Sequence, residues 1–468
     1  MALVLMLVVP WLAPLLTAGL RGDSVRSART YIVVAFLEVP VTVFAVAPSG
    51  DLSGPAGFVP ILVAGLGAFA FWTTGFKVHG ITAPRPLALY RLGLTAFWWS
   101  LLVLSVSRNL GLSWAAIELT TITSAALVAI SGRPTATEAA WKYAILCSAG
   151  LLLALLGVLL LLAAGHAPGH PVTMADLDFS TLARSLPSQN AGALRLALIL
   201  LAVGFGTKAG FAPMHTWLPD AHSEAPAPVS GLLSGILLPL VLLTLWHVMA
   251  VASPAVGTTL PRELLIGFGL LTVVVATPFL LVQTDLKRLL AYSTLEQMGL
   301  LAIGLGIGTH LALDAVFLQL TVHALVKSGL FSVSGDLLET FGTKQIPRTR
   351  GLLAAHPRLG WPWLIGLLTL GGLPPLPLFL TELAIVFALF AVNAILGAML
   401  VACLLVIFIG MAHYVLQTTL GSPRMRRTQV HDRGSRGAAV SLSVAVMLGT
   451  AIPFMPGILQ VLAGGRSL

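Results

Sequence analysis

Charge is scarce in this chain. Asp, Glu, Lys and Arg make up 9% of its 468 residues, against 57% hydrophobic residues and a mean hydropathy of +0.96. So little polar surface excludes a soluble globular protein of this length and assigns a polytopic membrane protein. Cysteine is scarcer still. Cys147 and Cys403 both lie in apolar segments and form no CxxC pair, which excludes a cysteine-held iron–sulfur cluster in this chain. No glycine-rich strand–helix unit offers a nucleotide site, and no Ser/His/Asp arrangement offers a nucleophile. Hydrophilic intervals are also short. The longest runs over about residues 166–192, followed by the loop around Arg424–Arg436, and neither can bury a core of its own. The first of them holds His166, His170, Asp176 and Asp178, but GHAPGHP lacks an element to fix ligand geometry, so no metal site is assigned. The pI near 10 suggests nucleic acid, yet the basic residues are scattered without a clustered face or interleaved aromatics. The first apolar run lacks a basic leader, and Arg21, Arg26 and Arg29 follow it, as in a retained first helix.

What is present is a series of apolar runs of about 20 residues. They predict an all-α fold of fourteen transmembrane helices: 2–20, 30–47, 57–76, 88–107, 111–131, 139–165, 193–218, 226–250, 262–284, 288–309, 311–335, 361–387, 391–419 and 437–463. With this division, 18 of the 26 Lys and Arg residues fall in or beside loops after odd-numbered helices and five fall on the even side. Lys142, Lys208 and Lys327 fall within spans. The positive-inside rule then makes the odd loops cytoplasmic and puts both termini outside.

Two runs are interrupted by glycine and proline in mid-membrane, the seventh at GFGTKAGFAPMHTWLP and the twelfth at TLGGLPPLPLFLTEL. Paired broken helices point to an inverted repeat with its site at the interruptions. Lys208 lies in the first break and Glu382 beside the second. Glu118 precedes Lys208 by 90 residues and Glu296 precedes Glu382 by 86. The expected organisation is helices 1–3 over residues 1–87, a five-helix unit over 88–250, an inverted second unit over 251–420, and a loop with a last helix over 421–468. Within the spans, an unpaired lysine near the bilayer centre costs roughly 2.5–3.5 kcal/mol on insertion scales, so intramembrane charge is read first as function. Plainer readings stand beside that one. Lys142, four residues after Glu138, fits an interfacial ion pair, Glu118 with Lys208 fits a static buried pair, and Glu296 fits a partner for Lys287 or Arg288. Glu38, in the apolar FLEVPVTVF, has no assigned role.

The strings GTKAGFAPMHTWLPDAHSEAPAPVSGLLSGILL, DLKRLLAYSTLEQMGL, HALVKSGLFSVSG and GLPPLPLFLTE resemble the antiporter-like membrane subunits of respiratory complex I, membrane-bound [NiFe] hydrogenases and multisubunit cation/proton antiporters. Residues 117–157 and SEAPAPVSGLLSG look most like component F of hydrogenase-4 and formate hydrogenlyase-type complexes. The resemblance spans about residues 88–420. It implies a proton path through Glu118, Lys208, His323, Lys327 and Glu382, with Asp220 and His222 matching the end of the family's helix seven. Lys142, His247 and Glu296 are further accessory candidates read from the residues themselves. Two departures weaken a continuous relay. Pro239 stands where complex I subunits usually carry a lysine, leaving His247 as the nearest titratable group, and Gln297 stands where many relatives have histidine.

The function this implies is a proton-translocating membrane subunit of an energy-converting oxidoreductase complex, without a redox site or cofactor of its own. Iron–sulfur clusters and nickel–iron or flavin groups would belong to partners. Those partners would be other membrane-arm subunits and a peripheral redox arm, in a bacterial or archaeal cytoplasmic membrane, with protons or sodium as the moving ion and no nucleic acid. The alternatives are a sodium/proton antiporter subunit and a scaffold or coupling subunit, such as that of an inorganic-carbon uptake system.

Overall fold

The structure is a computed structural model that describes residues 2–18, 24–47, 55–74, 84–165, 171–186 and 191–421, with isolated helical positions at 439 and 443. The predicted fourteenth helix, the Arg424–Arg436 loop, Lys77, His166 and His170 lie outside the described residues. Among the described residues thirteen spans are seen. They are α1 (Ala2–Thr17), α2 (Ser24–Val46), α3 (Pro55–Thr74), α4 (Pro84–Val106), α5 (Leu110–Ala129), α6 (Pro134–Gly165), α7a (Ala191–Ala209) with α7b (Trp217–Glu224), α8 (Ala227–Val256), α9 (Thr259–Leu281), α10 (Leu286–Ile307), α11 (His310–Phe341), α12a (Pro357–Leu370) with α12b (Pro377–Val392), and α13 (Ala394–Thr419). Among the described residues there is no strand, only single bridges at Asn109–Asp178 and Asp285–Gln345.

Helix starts follow local chemistry. The side chains of Asn109, Asp285, Thr309 and Asn393 accept from backbone N–H groups in the first turns of α5, α10, α11 and α13, satisfying donors that have no partner within the helix. Helices α10 and α11 form the centre of the bundle and are buried over most of their length. The hydrophilic interval over about 166–192 carries a short helix at Phe179–Ser185, tied to the start of α5 by Asn109 Nδ2 donating to Asp178 Oδ1 (2.8 Å).

The two sequence interruptions are real breaks. Helix α7a ends at Gly210, which adopts φ +85° against Leu218 and Leu295, a conformation and a fit that suit only glycine. Freed backbone groups are satisfied nearby. Trp217 Nε1 donates to Thr207 O (2.9 Å), Phe211 N donates to Gly206 O (2.8 Å), and Ala212 N donates to Thr272 Oγ1 (3.0 Å). Helix α12a ends before Gly372, with φ +68°, where the Glu382 carboxylate occupies the space a side chain would need. A third irregularity was not expected: α8 contains a π-helical turn at Leu233–Leu237. Pro239, which has no N–H and cannot continue a regular ladder, stands just after this turn, at the second position of the resumed α-helix.

Candidate functional site

Around the first break, Lys208 at the end of α7a is completely buried. Its ammonium donates to Thr121 Oγ1 on α5 (2.8 Å) and to the Tyr143 hydroxyl on α6 (2.5 Å), and lies 4.5 Å from the centroid of the Tyr143 ring and 5.9 Å from that of Trp217. Tyr143 stacks on Trp217 at 4.5 Å and shares a 2.7 Å hydrogen bond with Ser124. Glu118, one turn from Thr121 on α5, accepts instead from Ser148 Oγ on α6 (2.7 Å). Among the described residues no ion pair within 4.0 Å joins Glu118 to Lys208. The acid and the cation share a neighbourhood but are held by separate hydroxyls.

The second half is built differently. Lys327 on α11, also fully buried, donates to Ser293 Oγ and to Leu290 O on α10, both at 2.5 Å. One turn further along α10, Gln297 Nε2 donates to Glu296 Oε1 (3.0 Å) and to Glu382 Oε1 on α12b (3.0 Å), while Gln297 Oε1 accepts from Gln319 Nε2 on α11 (2.8 Å). All four side chains are buried. Glu296 is therefore not a surface partner for Lys287 or Arg288. Gln297, read from sequence as a gap, is the point at which three helices meet.

His323 and His222 are fully buried with no hydrogen-bond partner on either ring nitrogen among the described residues, and His222 stacks on Phe331 at 5.4 Å. A hydroxyl pair, Ser234 with Thr294 (2.7 Å), joins the π turn of α8 to α10. His247 does not substitute for the absent lysine. It is exposed on the far part of α8 and stacked on Phe179 at 4.1 Å. Glu38 is buried in α2, outside this cluster, with Thr42 donating to it at 3.0 Å.

Charged residues of the odd-numbered loops gather on one face. Arg133 (3.2 Å) and Lys344 (2.8 Å) pair with Glu224, and Lys344 reaches Asp285 (3.5 Å). Asp220 pairs with Arg288 and with Lys142 (3.5 Å), and Lys142 also pairs with Glu138 (2.6 Å). Of the two readings of Lys142, the interfacial partner of Glu138 is the one the structure has. The Lys142 side chain is 49% exposed in this network, because it lies only two turns into α6. The reverse holds for Lys287, counted with the loops. It is 3% exposed and donates to Ala225 O (2.5 Å), since Asp285 caps α10 and turns the next residues inward. Lys287 lines a cavity of about 230 Å³ together with Arg133, Glu224, Asp336, Glu339 and Lys344. Ser223 and Ser332 also line it, and the stacked His222 and Phe331 are their chain neighbours. Among the described residues no cluster of His, Cys, Asp and Glu could hold a metal ion.

Comparison with known proteins fits this geometry. The family described as NADH:quinone oxidoreductase/Mrp antiporter, transmembrane, matches residues 107–408. A hydrogenase-4 component F homolog of Methylacidiphilum infernorum is 32% identical over 74% of this chain and 72% of its own length. NADH-quinone oxidoreductase subunit N of Desulforudis audaxviator is 30% identical over 68% of this chain, which spans 62% of that subunit. A chain of an archaeal membrane-bound sulfane sulfur reductase shares the fold at TM-score 0.87 and 20% identity, over 98% of this chain and 96% of that one.

Proposed function

Because the chain belongs to the NADH:quinone oxidoreductase/Mrp antiporter transmembrane family, we propose that it is a proton-translocating membrane subunit of an energy-converting oxidoreductase complex, of the hydrogenase-4 kind. One observation carries the reading. Lys208 and Lys327 are both fully buried, and both ammonium groups rest on neutral oxygens, with no carboxylate within 4.0 Å among the described residues. A structural ion pair needs its counter-charge in place, because removing one partner strands the other at a cost of about 3–5 kcal/mol. A lysine held by hydroxyls and carbonyls can release its proton and leave only neutral groups behind.

In this reading the proton path runs through Glu118, Lys208, His323, Lys327 and Glu382, within two inverted five-helix units. The cavity beside Lys287 is its aqueous mouth on the face of the odd loops, which is assigned to the cytoplasm. Redox chemistry in partner subunits would drive the path electrostatically. Each proton moved out against 100 mV costs roughly 2.3 kcal/mol, so one turnover moves few.

The test is proton uptake by inside-out vesicles carrying the intact complex, with Lys208→Ala compared with the unaltered chain, in sodium and without it. Loss of uptake in an assembled Lys208→Ala complex, independent of sodium, is the expected result. Uptake that requires sodium would instead support the antiporter reading. Equal uptake with and without the substitution would turn the buried charges into structural features and favour a scaffold.

A further inference from the structure

We infer that Gln297 is a positioning residue that joins Glu296 and Glu382 into one proton-sharing pair, so that the second half of the path runs from acid to acid instead of through a histidine. The inference rests on the proton-translocation reading and concerns a residue that reading leaves out.

A glutamine amide offers two N–H donors on one nitrogen and one carbonyl acceptor. Gln297 uses all three in the bundle centre: one donation to Glu296 Oε1 and one to Glu382 Oε1, each at 3.0 Å, with its oxygen accepting from Gln319 at 2.8 Å. The reverse orientation would aim the amide oxygen at two carboxyl oxygens that need donors, so the two acids fix which end faces them. The amide can neither take up nor release a proton in water's pH range, and it therefore acts by holding the acids, not by relaying through itself. Two carboxyl groups on adjacent parts of different helices, α10 and α12b, are brought to the same nitrogen. A proton leaving one of them has the other as its acceptor. The transfer breaks an O–H bond on one carboxyl and forms one on the other, the total charge of the pair is unchanged, and Gln297 is chemically unaltered.

The surroundings support a path at this place and not a sealed polar knot. Glu296 Oε2 is buried without a hydrogen-bond partner among the described residues, which leaves it free to carry the proton. On one side, Lys327 is anchored to Ser293, one helical turn before the pair on α10. On the other side, Glu382 abuts Gly372, at the break between α12a and α12b. The pair thus lies between the buried lysine and the interruption of the second broken helix. Gln319 is a further part of the device, because its donation holds the Gln297 oxygen away from the acids.

The experiment compares two replacements of the bridge in the intact complex, read by proton uptake in inside-out vesicles with Lys208→Ala in parallel. Gln297→Leu keeps the volume and removes both donations, whereas Gln297→His changes the shape but restores an N–H donor. If Gln297 positions the acids, Gln297→Leu lowers uptake by about tenfold or more in an assembled complex, and Gln297→His retains clearly more than Gln297→Leu. A packing role predicts the opposite order, with leucine tolerated and histidine damaging, and that order would overturn the inference. Should Gln297→Leu fail to assemble, Gln319→Leu takes its place: a smaller fall in uptake is expected, and unchanged uptake would overturn the proposal. If Lys208→Ala leaves uptake intact as well, the translocation reading itself has failed. If only the Gln297 and Gln319 variants are silent, the failure belongs to the bridge alone.

Discussion

The two halves of the bundle solve the same physical problem with different parts. Each buries a lysine with a carboxylate nearby. The first half keeps cation and acid apart, Lys208 on Thr121 and Tyr143 and Glu118 on Ser148, and shields the ammonium with the rings of Tyr143 and Trp217. The second half places Lys327 on a serine and a main-chain carbonyl and gathers its two acids on a single amide. A buried cation thus needs oxygen atoms and not necessarily an anion, and the choice of oxygens decides which neighbours are left for other work. Hydroxyls and aromatic faces hold one lysine in place. The main-chain carbonyl frees the side chains of α10 to bind each other.

The sharpest way to break this comparison is to remove each lysine in turn. If the halves act in series, Lys208→Ala and Lys327→Ala each reduce vesicle proton uptake to background. Survival of uptake in either one would make the halves independent. Next in size is Tyr143→Phe, which keeps the ring over Lys208 and removes its hydroxyl. A lost hydrogen bond to a charged group is worth about 1.5–3 kcal/mol, so uptake should fall by about 10–150-fold, with no counterpart in the second half, where no aromatic hydroxyl is involved. Then come the glycines of the breaks. Gly372→Ala forces a side chain into a positive φ and against the Glu382 carboxylate, and should destabilise the subunit by about 1–3 kcal/mol, read as a lower temperature of dissociation from the purified complex. The smallest effect belongs to the odd-loop face. Lys142→Ala removes two exposed ion pairs and should leave proton uptake unchanged within error, which separates the network from the path.

Much of the fold is legible in the sequence because membrane solvation imposes it. A run of apolar residues long enough to cross has to be a helix, and glycine with proline in mid-run has to open it where other groups satisfy the backbone. The breaks at Gly210 and Gly372 follow from that logic alone. What sequence misses depends on direction. Lys142 pairs with Glu138 at a helix end as its spacing suggests, but the burial of Lys287 was not legible, since an apolar average says nothing of which face of a helix end points inward. The π turn of α8 was unforeseen because only its consequence, Pro239, is written in the residues. Thr121, Tyr143 and Ser148 were not singled out because hydroxyls are common in helices and only three-dimensional register makes these three face a charge.

Helices α6 and α11 each run for 32 residues. At 1.5 Å per residue that is about 48 Å, against a hydrocarbon layer of about 30 Å. Neither fits within the oil, even when tilted, and the excess must stand among lipid headgroups. The α11 end carrying Asp336 and Glu339 forms part of the cavity wall; if the cavity is the mouth of the proposed path and this end carries the excess length, that mouth opens at the interfacial layer. A leaflet rich in anionic lipid holds its surface at about −30 mV, which enriches protons there roughly threefold over the bulk. Lipid composition would then set the acidity that the path experiences, independently of the pH measured in solution.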